Sequence, residues 1–215
     1  MTARKLVAEA LGTGLLVAAV VGSGIMADRL TDDVALSLLA NTIATGAALY
    51  TLITIFAPIS GAQFNPVVTM VISLRREMTP RFAIGYVAAQ CAGGIAGTYL
   101  AHAMFSLPLV QISTTTRSGP GQWLAEAVAS FGLILVILGA VRSKANVAAC
   151  VAAYIIAAYW FTASTSFANP AVALARSLTD TFSGIKPVNL PGFWLAEVAG
   201  ALLAAALGGW LFRKE

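Results

Sequence analysis

The sequence has 215 residues, of which 59% are hydrophobic and only 10% are charged, with a formal net charge of +4. Soluble domains carry about 25% charged residues, whereas a bilayer span takes about 20 consecutive apolar residues. The stretch from Val34 to Leu74 contains no Asp, Glu, Lys, Arg or His, so the composition excludes a water-soluble globular enzyme, a disordered chain and a disulfide-stapled scaffold. The basic residues lie singly or in pairs without interleaved aromatic residues, which argues against a nucleic-acid partner. We predict an all-α membrane protein.

Six long apolar segments, bounded by charges, Pro or Gly, predict six transmembrane helices. They cover about residues 5–27, 34–57, 82–104, 122–141, 146–163 and 191–212. Two further stretches, 65–74 and 169–178, are about half as long. At 1.5 Å per residue they cross roughly half of a hydrocarbon core about 30 Å thick. Each begins with Asn-Pro, and because Asn is a favoured N-cap and Pro a favoured first helical residue, we predict two half-helices. Their first residues are Asn65-Pro66 and Asn169-Pro170.

The sequence pattern recurs in the two halves of the chain. The motif around Glu9 (AEA) opens the first segment and that around Glu126 (AEA) opens the fourth, while residues 89–93 (AQCAG) resemble residues 196–200 (AEVAG). Each half therefore has three full spans and one half-helix. Since three is an odd number, the second half must be inverted relative to the first. We predict a single membrane domain over residues 1–215, built from inverted repeats at about 1–105 and 118–215.

The distribution of basic residues predicts the orientation. With six spans, the two termini and the connections 58–81 and 142–145 share one side of the membrane. Nine basic residues lie on that side: Arg4, Lys5, Arg75, Arg76, Arg81, Arg142, Lys144, Arg213 and Lys214. Four lie on the other: Arg29, Arg117, Arg176 and Lys186. The positive-inside rule therefore predicts that both termini are cytoplasmic.

Inverted half-helices enter the membrane from opposite faces, so their Asn-Pro ends meet near the midplane. Helix N-termini present unpaired N–H groups and a partial positive charge, which repel cations and protons. The amides of Asn65 and Asn169 are donors for a neutral, oxygen-bearing solute. Such a pore requires no cofactor, and the two cysteines, Cys91 and Cys150, lack the spacing of a metal site.

Residues 60–67 (SGAQFNPV) and 166–171 (SFANPA) resemble the paired signature loops of the aquaporin and aquaglyceroporin family. The resemblance covers nearly the whole chain. It implies six tilted helices around one pore per subunit and a homotetramer in the lipid bilayer. The first loop departs from the family pattern in having Val67 where Ala is usual.

The family resemblance also implies the positions of the selectivity filter. Members usually have an Arg three residues after the second Asn, where this chain has Val172. The other three positions fall on Thr45, Ala157 and Ser166. Family members usually have an aromatic residue at the position of Thr45, and water channels tend to carry His at the position of Ala157. All four are small and uncharged, which predicts a wide, weakly polar throat for glycerol-sized solutes. The combination of Val172 with residues 175–182 (ARSLTDTF) resembles the aquaglyceroporins found with bacterial arsenic-resistance genes. This resemblance implies permeation by arsenite or methylated arsenicals and a location in a bacterial inner membrane.

Other ionisable residues admit alternatives. Glu9 and Glu126 lie within spans, where a proton-coupled carrier would use a carboxylate. Their matching placement favours a structural role, and the resemblance implies that they accept hydrogen bonds from the irregular loops beside the pore. Arg176, one turn beyond Val172, is predicted either to recruit solutes or anions at the outer mouth or to snorkel and cap carbonyls. Glu197 is expected at a helix interface.

These observations predict a passive channel for small neutral solutes: glycerol-like polyols, arsenite or methylated arsenicals, and some water. The first alternative is a general water channel, and the second is a proton-coupled carrier. An intramembrane hydrolase is disfavoured, because the only histidine, His102, has no nucleophile placed against it. We expect His102 to lie at the membrane interface.

Overall fold

The computed structural model describes residues 2–213, which form α-helices, one short 3₁₀ turn (Pro187–Asn189) and irregular connections. The helices are α1 (Thr2–Leu30), α2 (Val34–Ser60), α3 (Pro66–Leu74), α4 (Pro80–Met104), α5 (Pro120–Ser143), α6 (Val147–Phe161), α7 (Pro170–Arg176) and α8 (Leu190–Leu211). The prediction of an all-helical fold with six long helices and two half-helices is confirmed. The half-helices α3 and α7 have 9 and 7 residues.

Length and composition qualify several helices as membrane spans. Four are long and apolar enough by these criteria alone: Ala3–Leu30, Val34–Ser60, Pro120–Ser143 and Pro187–Leu211. α6 has 15 residues and so covers only about 22 Å, and the chain continues from its end as irregular backbone into α7. α4 has 25 residues and carries buried Gln90 and His102 among its apolar side chains.

The two halves pack in the same manner. α1 lies against α4 and α2, as α5 lies against α8 and α6, while α2 contacts α6 and α3 contacts α7 across the halves. Glycines allow backbones to touch at the crossings. A Cβ at Gly93 of α4 would overlap the carbonyl oxygen of Ala10, and one at Gly200 of α8 would overlap that of Ala127. The half-helices are thereby enclosed by the long helices.

His102 lies in the last turn of α4 and is fully buried within the protein. Its Nδ1 lies 2.8 Å from the carbonyl oxygen of Leu109, and its Nε2 lies 2.8 Å from Oγ1 of Thr179. A buried polar ring requires such partners. His102 therefore fastens the end of α4 to two connecting segments.

Candidate functional site: two asparagine loops and the cavity between them

Both half-helices begin at a capping asparagine followed by proline. Asn65 and Asn169 have extended backbone angles, with φ of −152° and −160°. Asn65 Oδ1 accepts a hydrogen bond from Val67 N at 3.0 Å, and Asn169 Oδ1 accepts one from Ala171 N at 3.0 Å. These bonds satisfy N–H groups that a helix start leaves unpaired.

The amide nitrogens of the same asparagines join the two loops. Asn65 Nδ2 donates to the carbonyl oxygen of Ala168 at 2.7 Å, and Asn169 Nδ2 donates to that of Phe64 at 2.9 Å. Since an amide nitrogen carries two protons, one N–H of each asparagine remains for a solute. The sequence motif indicated donors at this point, but carried no signal for the reciprocal link.

Left-handed backbone recurs at equivalent positions of both loops. Ala62 and Phe64, three residues and one residue before Asn65, have φ of 48° and 52°; Ser166 and Ala168, at the same distances before Asn169, have φ of 52° and 47°. Non-glycine residues in this region cost about 1–3 kcal/mol each and persist only where their surroundings hold them.

Two fully buried carboxylates hold these loops. Glu9 accepts hydrogen bonds from Gln63 N at 3.0 Å and Phe64 N at 2.7 Å. Glu126 accepts them from Phe167 N at 2.9 Å and Ala168 N at 2.7 Å. Neither carboxylate lines the cavity described next. This placement supports the structural role of the two carboxylates.

A largely apolar cavity of about 280 Å³ passes between the two asparagines. Ile72 and Val147 line one end, Asn65 and Asn169 line the middle, and Arg176 lies at the other end. Within residues 2–213, no three His, Cys, Asp or Glu residues are grouped so that they could hold a metal ion.

The structure brings three of the four predicted filter residues to this cavity: Thr45, Ser166 and Val172. The prediction for Ala157 is wrong, because its side chain is exposed on the outer surface of α6. Tyr159 lines the cavity instead, with its hydroxyl 3.2 Å from Oγ1 of Thr45. At 3.6 residues per turn, a two-residue error rotates a side chain by about 200°, to the opposite face of the helix.

A pattern in the sequence of α6 would have identified Tyr159. Val147, Val151, Ile155 and Tyr159 follow one another at four-residue intervals, and all four line the cavity. Residues spaced in this way share one helix face. The periodicity of α6 is thus a better guide than counting back from Asn169.

Arg176 is buried at the end of the cavity opposite Ile72 and Val147, with 3% of its surface exposed. Its Nε donates to the carbonyl oxygen of Ser183, and its guanidinium lies 3.4 Å from the ring centroid of Phe167. Arg117, which sequence reasoning missed, lies 5.4 Å from the same centroid and donates from Nε to Gly184 O at 2.9 Å. Arg176 is thus fixed at the cavity by an aromatic ring and a backbone carbonyl.

Glu197 is fully buried and contacts the second loop, where its Oε1 accepts a hydrogen bond from Asn169 N at 2.9 Å. The expectation of a simple helix-interface residue is therefore incomplete. The neighbouring Trp194 donates from Nε1 to Pro170 O at 3.2 Å. α8 accordingly supports the start of α7 through two side chains.

Comparison with known proteins agrees with this arrangement. Residues 1–162 match the family model described as major intrinsic protein. Aquaglyceroporin AqpS of Rhizobium meliloti is 62% identical over 98% of this chain and 91% of its own length. Aquaporin NIP2-1 of Zea mays is 28% identical over 97% of this chain and 70% of its own. The solved aquaglyceroporin of Plasmodium falciparum shares the fold, with a TM-score of 0.75, 21% identity, and coverage of 99% of this chain and 96% of that one. Two linked Asn-Pro loops on half-helices thus occur in a chain that belongs to the major intrinsic protein family.

Proposed function

We propose that this membrane channel passively conducts small neutral solutes, chiefly glycerol-like polyols, with arsenite, methylated arsenicals and some water as further candidates. The observation that carries the proposal is the cavity between Asn65 and Asn169, with its apolar walls and small filter side chains. The relative that is 62% identical bears the name aquaglyceroporin, which supports polyols as the first solutes to test.

The walls of the cavity favour neutral solutes over ions. Two N–H groups, one each from Asn65 and Asn169, provide hydrogen-bond donors at its middle, while its inner half is lined by aliphatic side chains such as Leu49, Ile53 and Leu133. A polyol in such a channel aligns its hydroxyl groups with the donors and its carbon backbone with the aliphatic wall. An ion would lose its hydration shell there at a high free-energy cost.

We propose that the filter consists of Thr45, Tyr159, Ser166 and Val172. Val172 presents methyl groups where the family usually has a guanidinium, which leaves the throat wider and less polar. Arg176 lies one turn farther out on the same half-helix and serves as the outer-mouth residue that first binds hydroxyl-bearing solutes. Its position over the ring of Phe167 supports this role, because the ring fixes the guanidinium at the edge of the cavity.

The remaining proposals concern the assembly. We infer inverted repeats over 1–105 and 118–215 in one channel domain, which the matching helix contacts support. We also infer a homotetramer in the bacterial inner membrane with both termini cytoplasmic. Apolar side chains exposed on the outer faces of α2 and α8 supply surface for lipid and for neighbouring subunits. They include Ile43, Tyr50, Leu195, Leu203 and Trp210.

A general water channel is the second candidate, and one contact favours it. The Tyr159 hydroxyl lies 3.2 Å from Oγ1 of Thr45, so the two side chains close one side of the throat. A bulky phenol at this position makes the filter narrower than Ala157 would have made it. Water then passes more readily than glycerol.

The test is stopped-flow light scattering on proteoliposomes exposed to water, glycerol or arsenite gradients at two pH values. Rapid glycerol and arsenite entry, independent of a proton gradient, is the expected result. Rapid water flux without solute entry would establish the water channel instead. Solute flux that required a proton gradient would refute the passive channel. Tyr159→Phe, which removes the hydroxyl but keeps the ring, is the matched variant: it should raise the glycerol-to-water ratio if the Tyr159–Thr45 contact limits the throat.

A further inference from the structure

Three consecutive backbone N–H groups of the second loop are held by two carboxyl groups. Glu126 binds those of Phe167 and Ala168, and Glu197 binds that of Asn169. Both side chains are fully buried, and they bind the N–H groups of the adjacent residues Ala168 and Asn169, which places the two carboxyl groups side by side. Over the described residues 2–213, Oε2 of Glu197 has no donor from any other group.

The first loop shows what occupies the equivalent position there. Gln90, which matches Glu197 in the repeated motif AQCAG and AEVAG, donates from Nε2 to Glu9 Oε2 at 2.9 Å and to Thr69 Oγ1 at 2.9 Å. The first loop thus pairs a carboxylate with an amide donor. The second loop has a carboxyl group in place of the amide, and a carboxyl group donates a hydrogen bond only when it is protonated.

Within residues 2–213, no Lys, Arg or His nitrogen forms a salt bridge with either carboxyl group. The basic and phenolic groups that interact electrostatically with Glu126 include Arg117, Arg176 and Tyr154. In the described part of the chain these groups donate to backbone carbonyls: Arg117 to Gly184 and Phe182, Arg176 to Ser183, and Tyr154 to Val128 and Ala129. Tyr159 pairs with Thr45. Two ionised carboxylates in contact and away from water repel each other strongly, so such pairs retain one proton.

We propose that Glu126 and Glu197 share one proton and that the neutral Glu197 acts as a positioning residue: its Oε2–H donates to Glu126 while its Oε1 accepts from Asn169 N. The pair thereby holds the second Asn-Pro loop, as Glu9, to which Gln90 donates, holds the first. Loss of the proton at alkaline pH places two negative charges beside Phe167, Ala168 and Asn169. Repulsion then displaces the loop that carries the Asn169 donor, and flux falls.

Infrared difference spectroscopy tests the proton directly, whatever solute the channel conducts. Wild-type protein at neutral pH should show the C=O stretch of one buried neutral carboxylic acid, shifted by exchange into D₂O and lost in Glu197→Gln. The matched control is Gln90→Glu, which introduces the same acid pair beside the first loop and should about double the band. Absence of the band from the wild type, or its persistence in Glu197→Gln, would overturn the proposal.

Flux as a function of pH provides the second readout. The flux of the wild type should fall severalfold between neutral and alkaline pH. Glu197→Gln supplies an uncharged hydrogen-bond donor, as Gln90 does in the first half, so its flux should not change with pH. Glu197→Leu, which can neither donate nor accept, should lose flux at every pH. An alkaline loss that is equally large in Glu197→Gln would show that another group titrates and would refute the shared proton as its cause. If no solute flux is found at all, the infrared result still decides the proposal.

Discussion

Replacing Asn65 with alanine removes two hydrogen bonds from the centre of the molecule. One is accepted by Oδ1 from Val67 N and caps α3; the other is donated by Nδ2 to the carbonyl oxygen of Ala168. Loss of an N-cap costs about 0.5–2 kcal/mol, and leaving a buried acceptor unpaired costs about 1–3 kcal/mol. We therefore expect Asn65→Ala to lower the free energy of unfolding by roughly 1.5–5 kcal/mol.

The matched control is Asn146→Ala, at the start of α6. Asn146 also caps a helix through Oδ1, which accepts from Ala149 N at 3.0 Å, but it is exposed and makes no link between loops. This change should cost only the capping contribution of about 0.5–2 kcal/mol. The assay is equilibrium unfolding of micellar protein by a denaturing detergent. Equal losses in the two variants would refute the argument that the reciprocal link stabilises the loops.

Three further predictions concern other parts of the molecule. Val172→Arg should narrow the filter and reduce glycerol and arsenite entry into proteoliposomes more than water flux; an equal loss of all three would contradict the filter assignment. Gly200→Leu should separate α8 from α5, because even a Cβ overlaps the carbonyl of Ala127, and we expect a lower thermal midpoint, whereas Gly209→Leu, which meets open space, should not change it. Hydrogen bonds from the backbone and side chain of Thr114 lower the pKa of Asp180. The stability that these bonds contribute is therefore present at pH values above the pKa of an unfolded aspartate, and it is lost as the pH falls through the lower pKa of folded Asp180. The thermal midpoint should consequently fall less steeply with decreasing pH in Asp180→Asn than in the wild type.

The sequence predicted the helices well because each boundary has a local chemical signal. Charges end the long segments, and Asn-Pro starts both short ones, so neither required knowledge of tertiary contacts. The filter was predicted less well. Ala157 was chosen by counting along the chain, and a shift of two residues exchanged a pore-facing position for the outer face of α6. Which face of α6 points to the cavity depends on the conformation of the loop that joins α6 to Asn169, and this loop has left-handed backbone at Ser166 and Ala168.

The family resemblance implied the hydrogen bonds that Glu9 and Glu126 accept from the loops, but the other contacts between side chains and distant backbone were beyond prediction. The acceptors of the Asn65 and Asn169 amides are carbonyl groups, which every residue has, so no residue type marks them. Arg117 lies in a connecting segment without periodicity, and its stacking on Phe167 depends on the course of the outer loops. The sequence predicts only that Glu197 lies at a helix interface, and its partners become visible only when α5 and α8 are packed together.

The reciprocal link between the loops also constrains the order in which the protein is made. Asn169 is 105 residues beyond Phe64, whose carbonyl oxygen it binds. At a synthesis rate of about 5–20 residues per second, that carbonyl waits roughly 5–20 s for its donor. An unpaired carbonyl is strongly disfavoured in hydrocarbon, so during this interval the first loop has to remain in contact with water or with the insertion machinery. The centre of the pore is therefore completed only after the second half of the chain has entered the membrane, and a truncated first half would leave the carbonyl oxygen of Phe64 without this donor.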